Sequence, residues 1–158
     1  MAESILTGKC TLVPQNFFRQ DKAREILSEV VLLDADDDVR WVEAPEWEAV
    51  LVYAAKPGRE GVPELFVVLS HLADCSEYNK IVASHKEGRL YLAIAQGKSL
   101  LLANTYEAPD FTSAEYYIFL AMRSLQLNPE VSTICLASPV SPEEEMSLYR
   151  YFKTVEPL

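Results

Sequence analysis

The feature that most constrains this chain is a series of secondary-structure signals between residues 79 and 152. Three apolar runs with strand-like alternation are separated by short turns containing glycine, Lys86-Glu87-Gly88 and Gln96-Gly97. An amphipathic segment, a short apolar run and a second amphipathic segment follow. We therefore predict strands at residues 81–85, 89–95 and 99–106, a helix at 113–127, a strand at 133–137 and a helix at 142–152. The predicted class is α/β, with a mixed β-sheet built from a three-stranded meander followed by α-β-α.

Both predicted helices of this block begin with recognisable start signals. Thr112 and Glu115 have the spacing of a capping box, in which each side chain accepts from the other residue's backbone N–H. Ser141 precedes Pro142 and an acidic first turn, which is typical of an N-cap with proline at the first helical position. These signals set the expected N-terminal ends of the two helices.

The N-terminal part has weaker signals. The pattern predicts a short strand at residues 11–13, a helix from Pro14 to about Glu29 and strands at 39–43 and 47–55. Residues 56–63 contain two glycines and two prolines, which favours a boundary between lobes. An apolar strand at 64–70 and a short helical stretch at 71–78 are expected before the meander. We predict a partial N-terminal lobe at residues 1–58 and a C-terminal lobe at 59–158.

Charge and cysteine content narrow the possible partners. The formal net charge is −10, which disfavours binding to nucleic-acid phosphates and to anionic membranes. No run approaches the roughly 18 apolar residues of a spanning helix. Three cysteines without a C-x-x-C spacing predict no disulfide framework. We expect a cytoplasmic protein that binds neither nucleic acid nor membrane.

Three clusters have partial signatures of chemistry. The acidic run at residues 34–38 opens like a calcium loop, but Val39 and Pro45 stand where glycine and glutamate are required, so we predict a solvated turn and no metal. His71 and Cys75 are four residues apart, yet a zinc site needs about four ligands and a thiol nucleophile needs a positioned base. Acidic pairs such as Glu46 with Glu48 have no spacing that indicates an acid and a base. The tyrosines of the two later helices are expected to pack in the core or at an interface. No catalytic residue and no cofactor is predicted.

Phosphate binding requires backbone N–H groups that approach the ligand closely, usually through glycine. Gln96-Gly97-Lys98-Ser99 contains Gly-Lys-Ser, but it joins two strands and lacks the upstream glycine of a phosphate loop, so it predicts a hairpin turn. If phosphates were held at all, the candidate residues would be those of the two meander turns: Lys86, Glu87, Gly88, Gly97 and Lys98.

Several segments together resemble a known family. They are the sequence Thr11-Leu12-Val13-Pro14 before a phenylalanine-containing segment, the apolar residues 49–54, and above all residues 79–130. In order and hydrophobic pattern, from about Lys9 onward, they are similar to an uncharacterised domain-of-unknown-function family of Bacteroidetes. The resemblance implies an actin-like ATPase fold, which is ribonuclease-H-like in each lobe, and a cytoplasmic bacterial protein without an established activity.

The chain departs from active actin-like ATPases in two ways. Such enzymes place an acidic residue and glycines at the first hairpin of each meander, whereas the matching block here is Ser84-His85-Lys86-Glu87-Gly88, without an aspartate at the end of the strand. The first lobe also lacks its own opening meander, so we expect either a truncated version of a longer chain or a reduced first lobe. An uncovered sheet edge in that lobe would favour a homodimer or a protein partner.

Three functional hypotheses remain open. The first is a non-catalytic scaffold or protein-interaction module on a degenerate actin-like fold, which makes an enzyme the less favoured assignment. The second is a nucleotide-binding, ATPase-like switch that uses the meander turns. The third and weakest is a thiol enzyme with Cys75 as nucleophile.

Overall fold

The computed structural model describes residues 4–158 and contains two β-sheets and four α-helices within that range. The chain divides into two compact units, the first ending at Val67 and the second running from Val68 to Leu158, so the division lies inside α2. The elements are β1 (Cys10–Pro14), α1 (Ala23–Ser28), β2 (Asp38–Ala44), β3 (Ala49–Ala55), α2 (Glu64–Ala73), β4 (Asn79–Lys86), β5 (Arg89–Gln96), β6 (Ser99–Glu107), α3 (Phe111–Ser124), β7 (Thr133–Leu136), α4 (Pro142–Tyr149) and β8 (Thr154–Pro157).

The first unit is organised around β3. Its three-stranded antiparallel sheet has the order β1-β3-β2, and every residue of β3 is buried. Val50 and Val52 pack on one face with Leu27 of α1, while Tyr53 on the other face packs with Ile5. The strand predicted at residues 47–55 is therefore confirmed for Ala49–Ala55, and it is covered on both faces. The sequence-based lobe boundary at residue 58 precedes the end of this unit, and its assignment to an actin-like lobe stays a prediction.

The second unit contains a five-stranded mixed sheet in the order β6-β5-β4-β7-β8. β4, β5 and β6 form the predicted antiparallel meander, and β4, β7 and β8 run parallel to one another. Apolar residues of the central strands, among them Ile81, Leu92 and Ile134, belong to the same core cluster as residues of α3 and α4 such as Ile118 and Leu148. The meander followed by α-β-α is confirmed, and β8 adds a strand that the sequence did not predict.

Two predictions for the connecting segments are wrong. Residues 14–22 are not an α-helix: β1 continues to Pro14, short 3-10 turns follow, and Phe18 and Arg19 are extended, with ψ of 132° and 122°. Phe18 reaches the apolar interior from this extended backbone and contacts Trp41 at 5.5 Å between ring centroids. Residues 64–70 form the first part of helix α2 and not a strand. The prediction failed because a short apolar run satisfies both the helix and the strand periodicity.

The start of α3 differs from its prediction by two residues. Asp110 is the N-cap, and its side chain accepts from the Ser113 N–H at 2.8 Å, so Thr112 does not cap the helix. The predicted cap of α4 is confirmed, since Ser141 and Glu144 form a complete capping box. No helix within residues 4–158 combines the length and the apolar character needed to cross a bilayer.

Candidate functional site

The C-terminal ends of β4 and β7 lie side by side, because these strands are parallel neighbours. We call this end of the five-stranded sheet, where the two strands terminate, its C-terminal edge. Both later helices begin at this edge. The Phe111 ring lies 6.1 Å from the His85 ring, and the Ser138 hydroxyl accepts from the His85 N–H at 2.8 Å. Ligands of open α/β sheets bind at such carboxyl-terminal edges. The edge is therefore the first place to look for a nucleotide site.

The turn between β4 and β5 lies at this edge. Glu87 and Gly88 have φ of 47° and 74°, the two positive values that a type I′ hairpin turn requires. The Gly88 carbonyl accepts from the Ala108 N–H at 2.8 Å, which ties the turn to the segment before α3. Lys86 pairs with Arg89 across the turn, while Glu87 and Gly88 are exposed. A tight hairpin accounts for this sequence, including its glycine.

The turn between β5 and β6 lies at the opposite edge, since β5 spans eight residues and is therefore about 25 Å long. Gly97 donates its N–H to the Tyr78 carbonyl at 2.9 Å, and a Cβ on Gly97 would sit 3.3 Å from the Tyr78 ring. Its backbone donor is thus already used, and close packing against Tyr78 accounts for the glycine. One phosphate group cannot contact both turns.

Among the described residues, the side chains of His85, Ser138 and Asp110 are not joined to one another by hydrogen bonds. The His85 Nε2 lies 2.7 Å from the Ala108 carbonyl oxygen, which only accepts, so Nε2 carries the proton. Ser138 bonds the His85 backbone and not its ring, so no serine–histidine pair exists there. Hydrogen bonds from Ser113 hold the pKa of Asp110 below its usual value, because they stabilise the carboxylate.

The N-termini of α3 and α4 are occupied by their own caps. Asp110 accepts from Ser113 in α3. In α4 the Glu144 N–H donates to the Ser141 hydroxyl at 3.1 Å, and the Ser141 N–H donates to the Glu144 carboxylate at 2.9 Å. Glu143 and Glu145 add negative charge to the first turn of α4. Helix N-termini attract phosphate through free N–H groups and positive potential, and acidic caps oppose both effects.

Cys75 lies beside Cys135 of β7, and two acidic side chains lie near Cys135. Burial raises the pKa of the Cys135 thiol to about 12, and Cys75, Glu156 and Glu77 add to the rise. Because α2 ends at Ala73, His71 and Cys75 do not share a continuous helix face. Reactive thiolates are found in electropositive surroundings, so these neighbours are unfavourable for a thiol nucleophile. Cys135 is a free, buried thiol.

The acidic turn of the first unit is neutralised by lysines. Carboxylate oxygens of Asp34, Asp36 and Asp37 lie within 4.8 Å of one another. Lys9 contacts Asp37 at 2.6 Å, and Lys56 contacts all three carboxylates at 2.9–3.1 Å. The Asp37 side chain is only 3% exposed, so the expectation of a fully solvated turn is wrong for this residue. These ion pairs connect the turn to the residue before β1 and the residue after β3, which gives the acids a structural role.

The outer side of α3 exposes a strip of large side chains. Tyr116, Leu120 and Arg123 follow one another at helical spacing, and 61% of Tyr116 and 45% of Leu120 is exposed. Next to this strip is an open groove of about 600 Å³, which we call the α3 groove. It is lined mainly by Phe119, Met122, Arg123, Gln126, Leu127 and Tyr151. Sequence reasoning expected the helix tyrosines in a core or interface and did not predict a groove.

Comparisons with other proteins agree with this geometry. A solved structure from Bacteroides thetaiotaomicron, described as a protein with actin-like ATPase fold and unknown function, matches with a TM-score of 0.83 and 16% sequence identity. The match covers 98% of this chain and 66% of that protein, just under two thirds of its length. At this identity the likeness shows the fold alone, and it confirms the predicted actin-like architecture. The chain is thus an α/β protein of the actin-like ATPase fold.

Residues 63–155, more than half of the chain, match the family described as Protein of unknown function (DUF3822). The chain belongs to this family, in agreement with the resemblance deduced from residues 79–130. None of the curated proteins matches the sequence. The family and the solved relative are both of unknown function, so any activity has to be argued from the residues themselves.

Proposed function

We propose that this protein is a non-catalytic protein-interaction module on a degenerate actin-like fold. The observation that supports this most directly is the state of the backbone donors that the sequence motifs and the helix N-termini could offer to a phosphate. The Gly97 N–H is used by Tyr78, and the helix N-termini are capped by Asp110 and by Ser141 with Glu144. The exposed acid Glu87 is the only acidic side chain of the first turn. Phosphates would meet negative charge and few free donors.

Isothermal titration of the whole protein with Mg-ATP, Mg-ADP and Mg-GTP tests the proposal. We expect no binding heat up to about millimolar nucleotide, where the free energy of binding is only about −4 kcal/mol. Micromolar binding of any of the three would overturn the proposal and favour the nucleotide switch. Alkylation of Cys75 much faster than that of a free thiol at neutral pH would favour the thiol enzyme.

The proposed partner is a protein or a second copy of the chain, in the cytoplasm, without nucleic acid or membrane. A net charge of −10 supports the exclusion of anionic partners. In the first unit β1 and β2 are the outer strands of their sheet, and 74% of Phe17 and 37% of Trp41 is exposed. Open strand edges and exposed aromatic rings both favour pairing with another chain.

Light scattering across a micromolar-to-millimolar concentration range separates the two kinds of partner. A mass that rises from one chain to two with concentration supports the homodimer. A constant monomer mass removes the homodimer and leaves a different protein as the partner.

A further inference from the structure

We propose that the α3 groove binds a peptide segment of a protein partner, with a bulky apolar side chain in the groove and an adjacent acidic side chain on Arg123. This rests on the proposed interaction function and names the class of partner. Three features of the groove support it: the lining, the charge, and the exposed surface beside it.

The exposed surface of the lining is mainly apolar, and its apolar side chains pack against one another and the core of the second unit. Phe119 packs against Tyr151 and Phe152, with ring centroids 4.8 Å and 5.7 Å apart. Met122 and Leu127 are buried in the core of the second unit, so they form a fixed floor. A preformed apolar groove loses little conformational entropy when an aliphatic or aromatic side chain enters it.

The groove is positive within an acidic chain. Arg123 is exposed and makes no side-chain hydrogen bond or ion pair with any residue between positions 4 and 158. None of the residues lining the groove is acidic. Of the two charged residues that adjoin the lining residue Pro129, Lys153 does so through its backbone N–H and Glu130 as the next residue of the chain, so Arg123 is the one charged side chain of the lining itself. A carboxylate of the partner therefore has a cation to bind and no acid of the groove to repel it.

The surface beside the groove extends the apolar contact. Tyr116 and Leu120 lie along the same helix face as Arg123, and half of Tyr151 is exposed. Tyrosine and arginine are enriched among the residues that supply most of the energy of protein interfaces. This strip is longer than a small molecule in the groove would cover, which favours a peptide. A second copy of the chain is less favoured because it would bring another ten negative charges close.

The test measures fluorescence anisotropy of labelled peptides that share one flanking sequence. The peptides vary at two positions. The first is leucine, or serine as the control without an apolar side chain, and the second, next to it, is glutamate, glutamine or lysine. We expect the leucine–glutamate peptide to bind about five- to tenfold more tightly than the leucine–lysine peptide, and the serine peptides to show no measurable binding. Amide shifts in NMR spectra of the complex should centre on Arg123, Gln126 and Leu127.

Arg123→Glu should reverse the preference, so that the leucine–lysine peptide binds more tightly. Arg19→Glu makes the same change at an exposed arginine of the first unit and should leave the preference unaltered. Three results would overturn the proposal: no dependence on leucine or charge, equal effects of the two variants, or amide shifts outside the groove. A dimer that Arg123→Glu disrupts would assign the groove to a second copy instead.

The experiments distinguish failure of the groove proposal from failure of the proposed interaction function. Micromolar binding of Mg-ATP removes the interaction module as the main function. A partner that still binds Arg123→Glu with unchanged affinity removes only the groove and leaves the interaction function in place.

Discussion

Around Asp37 the first unit brings two lysines to a buried carboxylate, whereas the second unit buries a continuous apolar layer beneath α3 and α4. Lys9 and Lys56 both contact Asp37 within 3.1 Å. In the second unit Leu90, Leu92 and Ile94 of β5 are completely buried in one apolar cluster. Ion pairs between lysine and aspartate weaken when the carboxylate is protonated or when salt screens the charges, while apolar burial is insensitive to pH. The two units should therefore respond differently to substitution, salt and acid.

The largest effect should come from the apolar core. We expect Leu92→Ala to lower the free energy of unfolding by about 2–5 kcal/mol, because it removes apolar contacts and leaves a cavity. Chemical denaturation followed by circular dichroism measures the loss. Leu101→Ala is the matched control, since Leu101 is 37% exposed, and it should cost well under half as much. Equal losses would contradict the idea that the second unit depends on this core.

The buried carboxylate should be the most sensitive polar position of the first unit. Asp37→Asn removes the negative charge between Lys9 and Lys56 and should lower the midpoint of thermal unfolding by several degrees. Asp21→Asn alters an exposed ion pair with Arg19 and is expected to change little. A midpoint for Asp37→Asn as high as that of Asp21→Asn would show that the lysine–carboxylate cluster contributes nothing.

Low pH should also affect the stability of the two units differently. The Lys9 and Asp34 hydrogen bonds hold the pKa of Asp37 well below its ordinary value of 3.8, and the lysines lower the pKa of Asp34 as well. Carboxyls with lowered pKa values stabilise the folded state above their unfolded value, and this stability is lost as pH falls through the folded value. We expect the midpoint temperature of thermal unfolding to decrease when the pH is lowered below 3.8. In Asp37→Asn this fall should be smaller, which a series of thermal melts would detect.

A smaller effect is expected at the start of α4. Ser141→Ala removes the side-chain acceptor for the Glu144 N–H and should cost about 1 kcal/mol of stability. Ser124→Ala, in the last turn of α3, makes the same chemical change where the serine side chain does not cap a helix. A loss at Ser124 that matches the loss at Ser141 would argue against capping as the cause.

The smallest effect is a gain. Gln126 follows the C-cap of α3 with φ of 58°, where the Leu127 N–H donates to the Met122 carbonyl and glycine is the usual residue. Gln126→Gly should raise the free energy of unfolding by about 0.5–1 kcal/mol, because it removes the strain of a left-handed side-chain residue. Ser124→Gly lies inside the helix and should be destabilising instead. A loss of stability in Gln126→Gly would show that the glutamine side chain makes a contact that outweighs the strain.

Local chemistry determined which predictions succeeded. The meander followed from alternating apolar residues and from glycine in its turns, and the cap of α4 followed from Ser141, Pro142 and Glu144. The helical state of residues 64–70 was missed because a short apolar run satisfies more than one periodicity. Strand β8 was missed because its four residues, Thr-Val-Glu-Pro, are too few and too polar to give a strand pattern. Asp110 was missed as a cap because Thr112 offered a competing signal within the same turn.

The sequence by itself determined the α/β class, the order of the elements from residue 79 onward and the lack of a phosphate-loop motif, since these depend on neighbouring residues. Only the tertiary structure decided that the Gly97 N–H is used by Tyr78 and that the β4–β5 turn is tied to the segment before α3. It also decided that Asp37 is buried between Lys9 and Lys56 and that Arg123 stands beside an apolar groove. Such arrangements join residues distant in sequence, and their geometry is set by strand pairing and packing.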